Sequence, residues 1–239
     1  MVSLSNPLNL RVPPTLNRTA PRSPGPSSFI LHPSSLLVAA LLCAASFLLD
    51  DPVIAWVRAH PSRTAGELAR FFTRWGDFPP IVLLLLLLLL IAWRFKRPFF
   101  THILLLMLGS AVAGGLAANI LRLLTGRARP SAGVPAGWYG LRAHGAWIVG
   151  SYRYSSFPSA HTAVAIACIV PLWLLLPPRQ WLFIACPATV FALCVAASRV
   201  LLNAHHFSDV FTSIWLGIVV ATLVCARFAS GNAAIQRNP

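Results

Sequence analysis

Acidic side chains are scarce: five Asp or Glu stand against 19 Lys or Arg in 239 residues, for a formal net charge of +14. Charged residues of both signs amount to only 10%, while apolar residues reach 57% and mean hydropathy is +0.72. That balance excludes an ordinary soluble core and describes one integral membrane domain. The positive excess does not point to nucleic acid, because the cations are spread over short polar stretches and never gather on one basic face. Cysteine is also sparse. Cys43, Cys168, Cys186, Cys194 and Cys225 all lie in apolar segments without metal-ligand spacing, read as small buried hydrophobes, and say nothing about compartment.

What the chain does have is long apolar runs. Six are read as spans: about Phe29 to Leu49, Pro79 to Trp93 with its eight-leucine run, Pro98 to Leu124, Pro158 to Leu176, Trp181 to Leu202, and Phe207 to Phe228. The expected fold is an all-α membrane bundle of about six transmembrane helices, residues 29–228. It is flanked by a basic, disordered N-terminal tail, 1–28, and a short C-terminal tail, 229–239. The first span is taken as uncleaved, against the competing reading of a signal peptide. Between Asp50 and Asp77, apolar residues recur at helical spacing among balanced charges, which predicts short amphipathic helices on the bilayer surface or against the bundle. Gly109 to Ala118 forms a small-residue face for close helix packing. Ser131 to Ser156 is a long Gly-rich, aromatic loop of the kind that forms lids.

One polar stretch breaks this pattern. SRVLLNAHHFSD, Ser198 to Asp209, places His205 and Asp209 one helical turn apart, and Asp209 is the only carboxylate after Asp77. A lone His–Asp pair is usually structural, but a charge at the mouth of an apolar segment needs partners. Two further stretches supply candidates: RLLTGRARP, Arg122 to Pro130, and FPSAHT, Phe157 to Thr162.

In this order, the three stretches resemble the signature motifs of the type 2 phosphatidic acid phosphatase family, membrane phosphatases whose active site is related to that of vanadium haloperoxidases. The resemblance covers Arg122 to Asp209. Arg122 stands where the family usually has Lys, and Ala160 where it usually has Gly. The resemblance implies that Arg122, Arg129 and Arg199 hold phosphoryl oxygens, with Ser159 and the Ala160 amide at a helix start. It implies His205 as the nucleophile, Asp209 as the group fixing its tautomer, and His161 as the general acid. His206 is a rival nucleophile that the spacing from Arg199 disfavours; the role of Arg127 stays open, and Arg142 and Arg153 are lid cations or solvated. No metal or other cofactor is implied, since a two-metal site would need more oxygen or imidazole ligands.

The expected activity is hydrolysis of a lipid phosphate monoester or pyrophosphate, with that lipid and the membrane as the partners. A lipid phosphotransferase using the same phosphohistidine is the alternative. A transporter or non-catalytic scaffold accounts for the spans but not for the full set of Arg, Ser, His and Asp. With the basic tail and the turns at Arg94 to Arg97 and Arg179 inside, alternation puts all three motifs on the non-cytoplasmic face of the plasma membrane, or of the inner membrane in a Gram-negative cell.

Overall fold

The computed structural model describes residues 26–235, with side chains from 28 to 228. Ten α-helices follow in order: α1 (Pro26–Ile30), α2 (Pro33–Ser46), α3 (Asp50–Ala59), α4 (Arg63–Trp75), α5 (Phe78–Arg94), α6 (Pro98–Thr125), α7 (Ala160–Leu175), α8 (Pro178–Gln180), α9 (Cys186–Leu201) and α10 (Phe207–Ile235). The expected tails fall mostly outside the described residues. Their described inner ends, in α1 and in the last part of α10, are helical.

The architecture is an all-α bundle, but the count of six long spans is not what the helices show. Among the described residues four are long and apolar enough to cross a bilayer: Pro33–Ala59, Pro98–Thr125, Pro178–Leu201 and Phe207–Phe228. A fifth is reached if α4 and α5, bent by 55° at their junction, are taken together. The leucine-rich α5 has 17 residues and α7 has 16. At 1.5 Å per residue these reach about 25 Å, short of a hydrocarbon core of about 30 Å. Hydropathy counts apolar residues, whereas helix length is set by caps: Asp77 accepts from the Phe78 amide at the start of α5, and Ser159 and Leu176 bound α7. The first helix departs in the other direction. It does not stop at Leu49 but passes through a 3-10 turn, Phe47–Leu49, into α3.

Of the two helices expected in the first loop, α4 is the amphipathic one. Ser62 caps its start, and Ala69 and Phe72 face the bundle, with the Phe72 ring 5.7 Å from Phe191 of α9. It therefore packs on the bundle along one face while Leu68, Phe71 and Trp75 remain exposed on the other.

Helices α6, α7 and α10 form the centre, and small residues allow their close approach. A Cβ on Gly114 would stand 2.8 Å from the Ala167 Cβ, one on Gly115 2.9 Å from Val164, and one on Gly217 2.9 Å from the Ala163 carbonyl oxygen. The core runs through Ile103, Met107, Ala111, Val164 and Ala167 into Val195 of α9.

The loop from 131 to 156 is ordered by its own hydrogen bonds. It contains a two-residue antiparallel ribbon, β1 (Arg142–Ala143) with β2 (Ala146–Trp147), and it is laced to the end of α6. Gly126 closes α6 in the left-handed region, at φ 57°, and a Cβ there would meet the Gly140 backbone at 2.0 Å. The Tyr139 and Gly140 amides donate to Gly126 and Thr125 at 3.2 and 3.1 Å. Further on, the Ala128 amide donates to Gly137, the Arg129 amide to Arg153 and the Ser156 amide to Arg127.

Candidate active site

All three motifs meet at one end of the bundle. The C-terminal ends of α6 and α9 bring Arg122 and Arg199, the N-terminal ends of α7 and α10 bring Ser159 to His161 and Asp209, and the link between α9 and α10 brings His205. The Ala204 and His205 amides both donate to the Arg199 carbonyl, at 3.0 and 3.2 Å, so the end of α9 folds His205 inward.

His205 is fully buried at its side chain. Its Nδ1 lies 2.7 Å from the Ser156 carbonyl oxygen, which accepts only from a protonated nitrogen, so Nε2 carries the lone pair. That Nε2 is buried and has no hydrogen-bond partner. Burial pushes the imidazole pKa down to about 3; Asp209 opposes this and the charges of Arg129 and Arg199 add to it.

The tautomer-fixing contact expected from Asp209 is thus made by a backbone carbonyl. Asp209 Oδ2 is 3.7 Å from His205 Nδ1, beyond hydrogen-bond range, and its lone pairs are committed elsewhere. Oδ2 accepts from Ser156 Oγ, from the His206 amide at 2.8 Å and from His206 Nδ1 at 3.2 Å, while Oδ1 accepts from Arg127 Nη1 at 2.6 Å. The bond to the His206 amide is a carboxylate in the first turn of α10 reaching back to the preceding N–H. His206, weighed as a rival nucleophile, is therefore the imidazole that Asp209 holds. Periodicity could not separate the two, since i+3 and i+4 both reach Asp209 on a helix.

Arg127 resolves as a buried strut. Its Nη1 also donates to Ser208 Oγ at 2.7 Å, its Nη2 pairs with Asp50 Oδ2 at 2.6 Å, and its guanidinium lies 5.1 and 4.8 Å from the ring centroids of Phe47 and Trp138. Asp50, 159 positions before Asp209, in turn accepts from the Ser208 amide and hydroxyl. Two carboxylates share one guanidinium in a nearly dry, ion-paired layer beneath the site.

The other arginines present free donors. Arg129 is fixed by Nη1 to the Ala204 carbonyl at 3.2 Å, by Nη2 to Ser155 at 3.1 Å, and by the Tyr152 ring, whose centroid is 4.0 Å away. Burial lowers the pKa of Arg129, with Tyr152 and Asp209 opposing. Arg199 Nη1 donates to Thr73 Oγ1 at 3.2 Å, and Thr73 donates to Ser198, which is committed to the Val195 carbonyl. The Nε of each of these two arginines is buried without a partner, as is His205 Nε2. Three such atoms in one place mark donors and a lone pair directed at something other than protein.

Ser159 is fully buried; its amide donates to Ser213 Oγ at 2.7 Å and its hydroxyl accepts from Thr162. It fixes the start of α7, whose next residues, Ala160 and His161, reach a cavity of about 390 Å³ shared with Arg122 and Asp77. His161 Nε2 lies 3.2 Å from Asp77 Oδ1. The charges of Arg199, Asp77, Arg122 and Arg129 all act on His161. The cavity continues along Val112, Gly115 and Leu116 of α6, so polar groups sit at one end of an apolar trough. Arg122 also borders a second cavity of about 240 Å³ beneath the loop residues Ile148 to Ser151. Of the two loop cations, Arg142 lies 4.3 Å from the Trp147 ring centroid and Arg153 is exposed.

Ser156, Thr73, Asp77 and Asp50 are the residues that the motifs did not reveal. The last three belong to a stretch read only as amphipathic and charge-balanced. The chain's scarcity of carboxylates was the available signal, because each buried arginine needs a partner and four of the five acidic residues fall in this stretch.

A family model described as the PAP2 superfamily matches residues 102–231. The chain is 30% identical over 199 residues to a lipid A 1-phosphatase of Rhizobium johnstonii, covering 76% of this chain and 74% of that protein. It is 32% identical over 122 residues to a lipid A 1-phosphatase of Rhizobium etli, a match spanning 49% of this chain and 48% of the other. A crystal structure of a transmembrane PAP2-type phosphatidylglycerolphosphate phosphatase from Bacillus subtilis superposes with a TM-score of 0.61 at 23% identity, over 82% of this chain and 95% of that one. Aquifex aeolicus LpxE superposes with a TM-score of 0.52 at 15% identity, over 74% and 95%. At these identities the two structures speak for the fold.

Proposed function

The chain belongs to the PAP2 superfamily, and from that premise we propose that it is an integral membrane phosphatase hydrolysing a lipid phosphate monoester or pyrophosphate through a phosphohistidine on His205. The observation that carries this reading is the group of three buried, unpartnered atoms, His205 Nε2, Arg129 Nε and Arg199 Nε. A neutral imidazole with a free lone pair, within the field of two guanidinium groups that each keep an unpaired donor, suits in-line attack on phosphorus, with the donors gaining strength as charge builds on the equatorial oxygens.

In the first step His205 Nε2 forms a bond to phosphorus as the ester oxygen departs, taking a proton from His161. In the second, water attacks the phosphohistidine, His161 removes its proton, and phosphate leaves. Arg122, Arg129 and Arg199 hold the phosphoryl oxygens, and Ser159 with the Ala160 amide completes the cradle. Asp209 acts through Ser156 and Arg127, keeping the pocket wall and the positive field in place. The donors are protein groups alone in this scheme, without a metal.

The names of the two Rhizobium relatives favour a phosphorylated glycolipid of the lipid A type among lipid phosphates. The trough along α6 suits such a lipid, receiving tails beside Val112 and Leu116 while the phosphate meets Arg122. For the topology, we read six crossings, with α5 and α7 as short ones in a locally thinned bilayer. The basic turn at Arg94 to Arg97 and Arg179 lie at helix ends remote from the motifs, which favours the non-cytoplasmic side of the inner or plasma membrane for the site.

The test is phosphate release by purified protein in detergent from a panel of lipid phosphates with a chelator present. The wild type is expected to turn over and His205→Ala to lose activity by ~10³-fold or more, the scale for loss of a nucleophile. Near-normal release by His205→Ala, or activity restored only by a divalent ion, sinks the scheme.

A further inference from the structure

A cavity of about 630 Å³ opens on the site end of the bundle, between the α3–α4 turn and the end of α9. Arg58, His60, Ser62, Arg70 and Asn203 supply its polar wall, and neither Asp nor Glu lines it. Among the described residues the ion pairs of this region use Arg63 and Arg127, leaving Arg58 and Arg70 out of any pair. Arg58 gives one Nη2 proton to the Pro130 carbonyl at 2.9 Å and keeps its other donors. Its neighbour in the wall, Asn203, is held in the left-handed region at φ 50°.

Position makes this cavity more than a basic patch. Pro130, which anchors Arg58, directly follows Arg129 of the first motif, and Asn203 in the wall precedes His205 of the third by two residues, so the cavity is tied to the reaction centre's own scaffold. The first turn of α4, whose Ala65 and Gly66 amides are already taken by Ser62, borders the same space. Trp56, stacked on His60 at 5.0 Å, gives the cavity an apolar side. Two guanidinium groups with spare donors and no competing carboxylate define a site for a phosphate-type anion.

We propose that this cavity is an accessory anion site, which binds a second phosphate-type group while the first occupies the centre at His205. The proposal rests on the reading of the chain as a lipid phosphatase. Two sources carry the required chemistry, a second phosphate on the same lipid and the headgroup of a neighbouring anionic lipid. Either way, Arg58 and Arg70 set a preference for substrates or surfaces with more than one negative charge, and they do so without touching the reacting atoms.

The experiment compares wild type with Arg70→Gln, Arg58→Gln and the double variant in neutral-detergent micelles. Three conditions are used: a short-chain acylated disaccharide with two phosphate monoesters, its counterpart with one, and that counterpart mixed with phosphatidylglycerol. The double variant is expected to lose ~10-fold in kcat/KM on the doubly phosphorylated lipid while the singly phosphorylated one is unchanged, a loss on the scale of one charge-assisted contact. A loss confined to the phosphatidylglycerol mixture supports the site and assigns the neighbouring lipid as its source. Equal kcat/KM for wild type and double variant in all three conditions, or an equal loss in all three, overturns it. Titration calorimetry of the doubly phosphorylated lipid into His205→Ala, with and without the two further substitutions, reads the cavity without turnover. Weakened binding there stands even if no lipid is hydrolysed, which separates failure of this site from failure of the phosphatase reading.

Discussion

His205 Nδ1 sits 2.7 Å from the Ser156 carbonyl oxygen, and that contact decides which nitrogen of the buried imidazole is left with its lone pair. A main-chain carbonyl cannot take up a proton, so it fixes one tautomer regardless of what Asp209 does. Asp209 instead binds the hydroxyl of the same Ser156, coupling the carboxylate to the imidazole through one residue.

This arrangement separates Arg127 from Arg199 in the effect of mutation. Arg127→Ala leaves Asp50 and Asp209 buried without their cation, and the expected cost is ~3–5 kcal/mol of stability. Arg199→Ala removes a donor with a free Nε and should cost ~10²-fold or more in kcat with a much smaller change in Tm. Thermal unfolding in detergent alongside turnover checks the pair; a stable, inactive Arg127→Ala would place Arg127 at the phosphate instead.

The contact between His161 and Asp77 bears on the leaving group. His161→Ala should slow an alkyl phosphate severely and an activated aryl phosphate much less, because a good leaving group needs little protonation. Asp77→Asn is expected to show the same pattern, weaker, since Asp77 acts through the imidazole 3.2 Å away. Rates measured where transfer to the enzyme is limiting decide; equal losses on both substrates would remove His161 from the proton-donating role.

The depressed pKa of His205 has a sign. Unfolded, the imidazole titrates near its ordinary value of 6.5; folded, it stays neutral down to about 3. The unfolded state therefore binds more protons between these values, and stability falls as pH drops from about 6.5 towards 3. His205→Gln should flatten that part of the Tm-against-pH curve. An unchanged slope would mean that His205 is as easily protonated in the fold as outside it.

Orientation is read by thiol labelling. Ala146 lies exposed on the loop ribbon at the site end, and Arg179 is exposed at the opposite end. A membrane-impermeant thiol reagent on intact spheroplasts should modify Ala146→Cys and spare Arg179→Cys until lysis. The reverse pattern would turn the site towards the cytoplasm.

Sequence alone determined the membrane class, the three motifs and the residues that meet at the site, because hydropathy is additive along the chain and the motif spacings are local. His205, His161, Arg129, Arg199 and Ser159 all come together at one end of the bundle. The carboxylate pairing was not legible. Asp50 and Arg127 are 77 positions apart, Asp77 and His161 are 84 apart, and the choice of Asp209 between two adjacent histidines turns on a backbone amide at the start of α10. Such contacts exist only once the helices pack, since burying a charge makes its partner obligatory without saying in the sequence which partner that is. Span length was not legible for a related reason: apolar runs measure where lipid is tolerated, while caps at Asp77 and Ser159 and a 55° bend before α5 set where each helix begins.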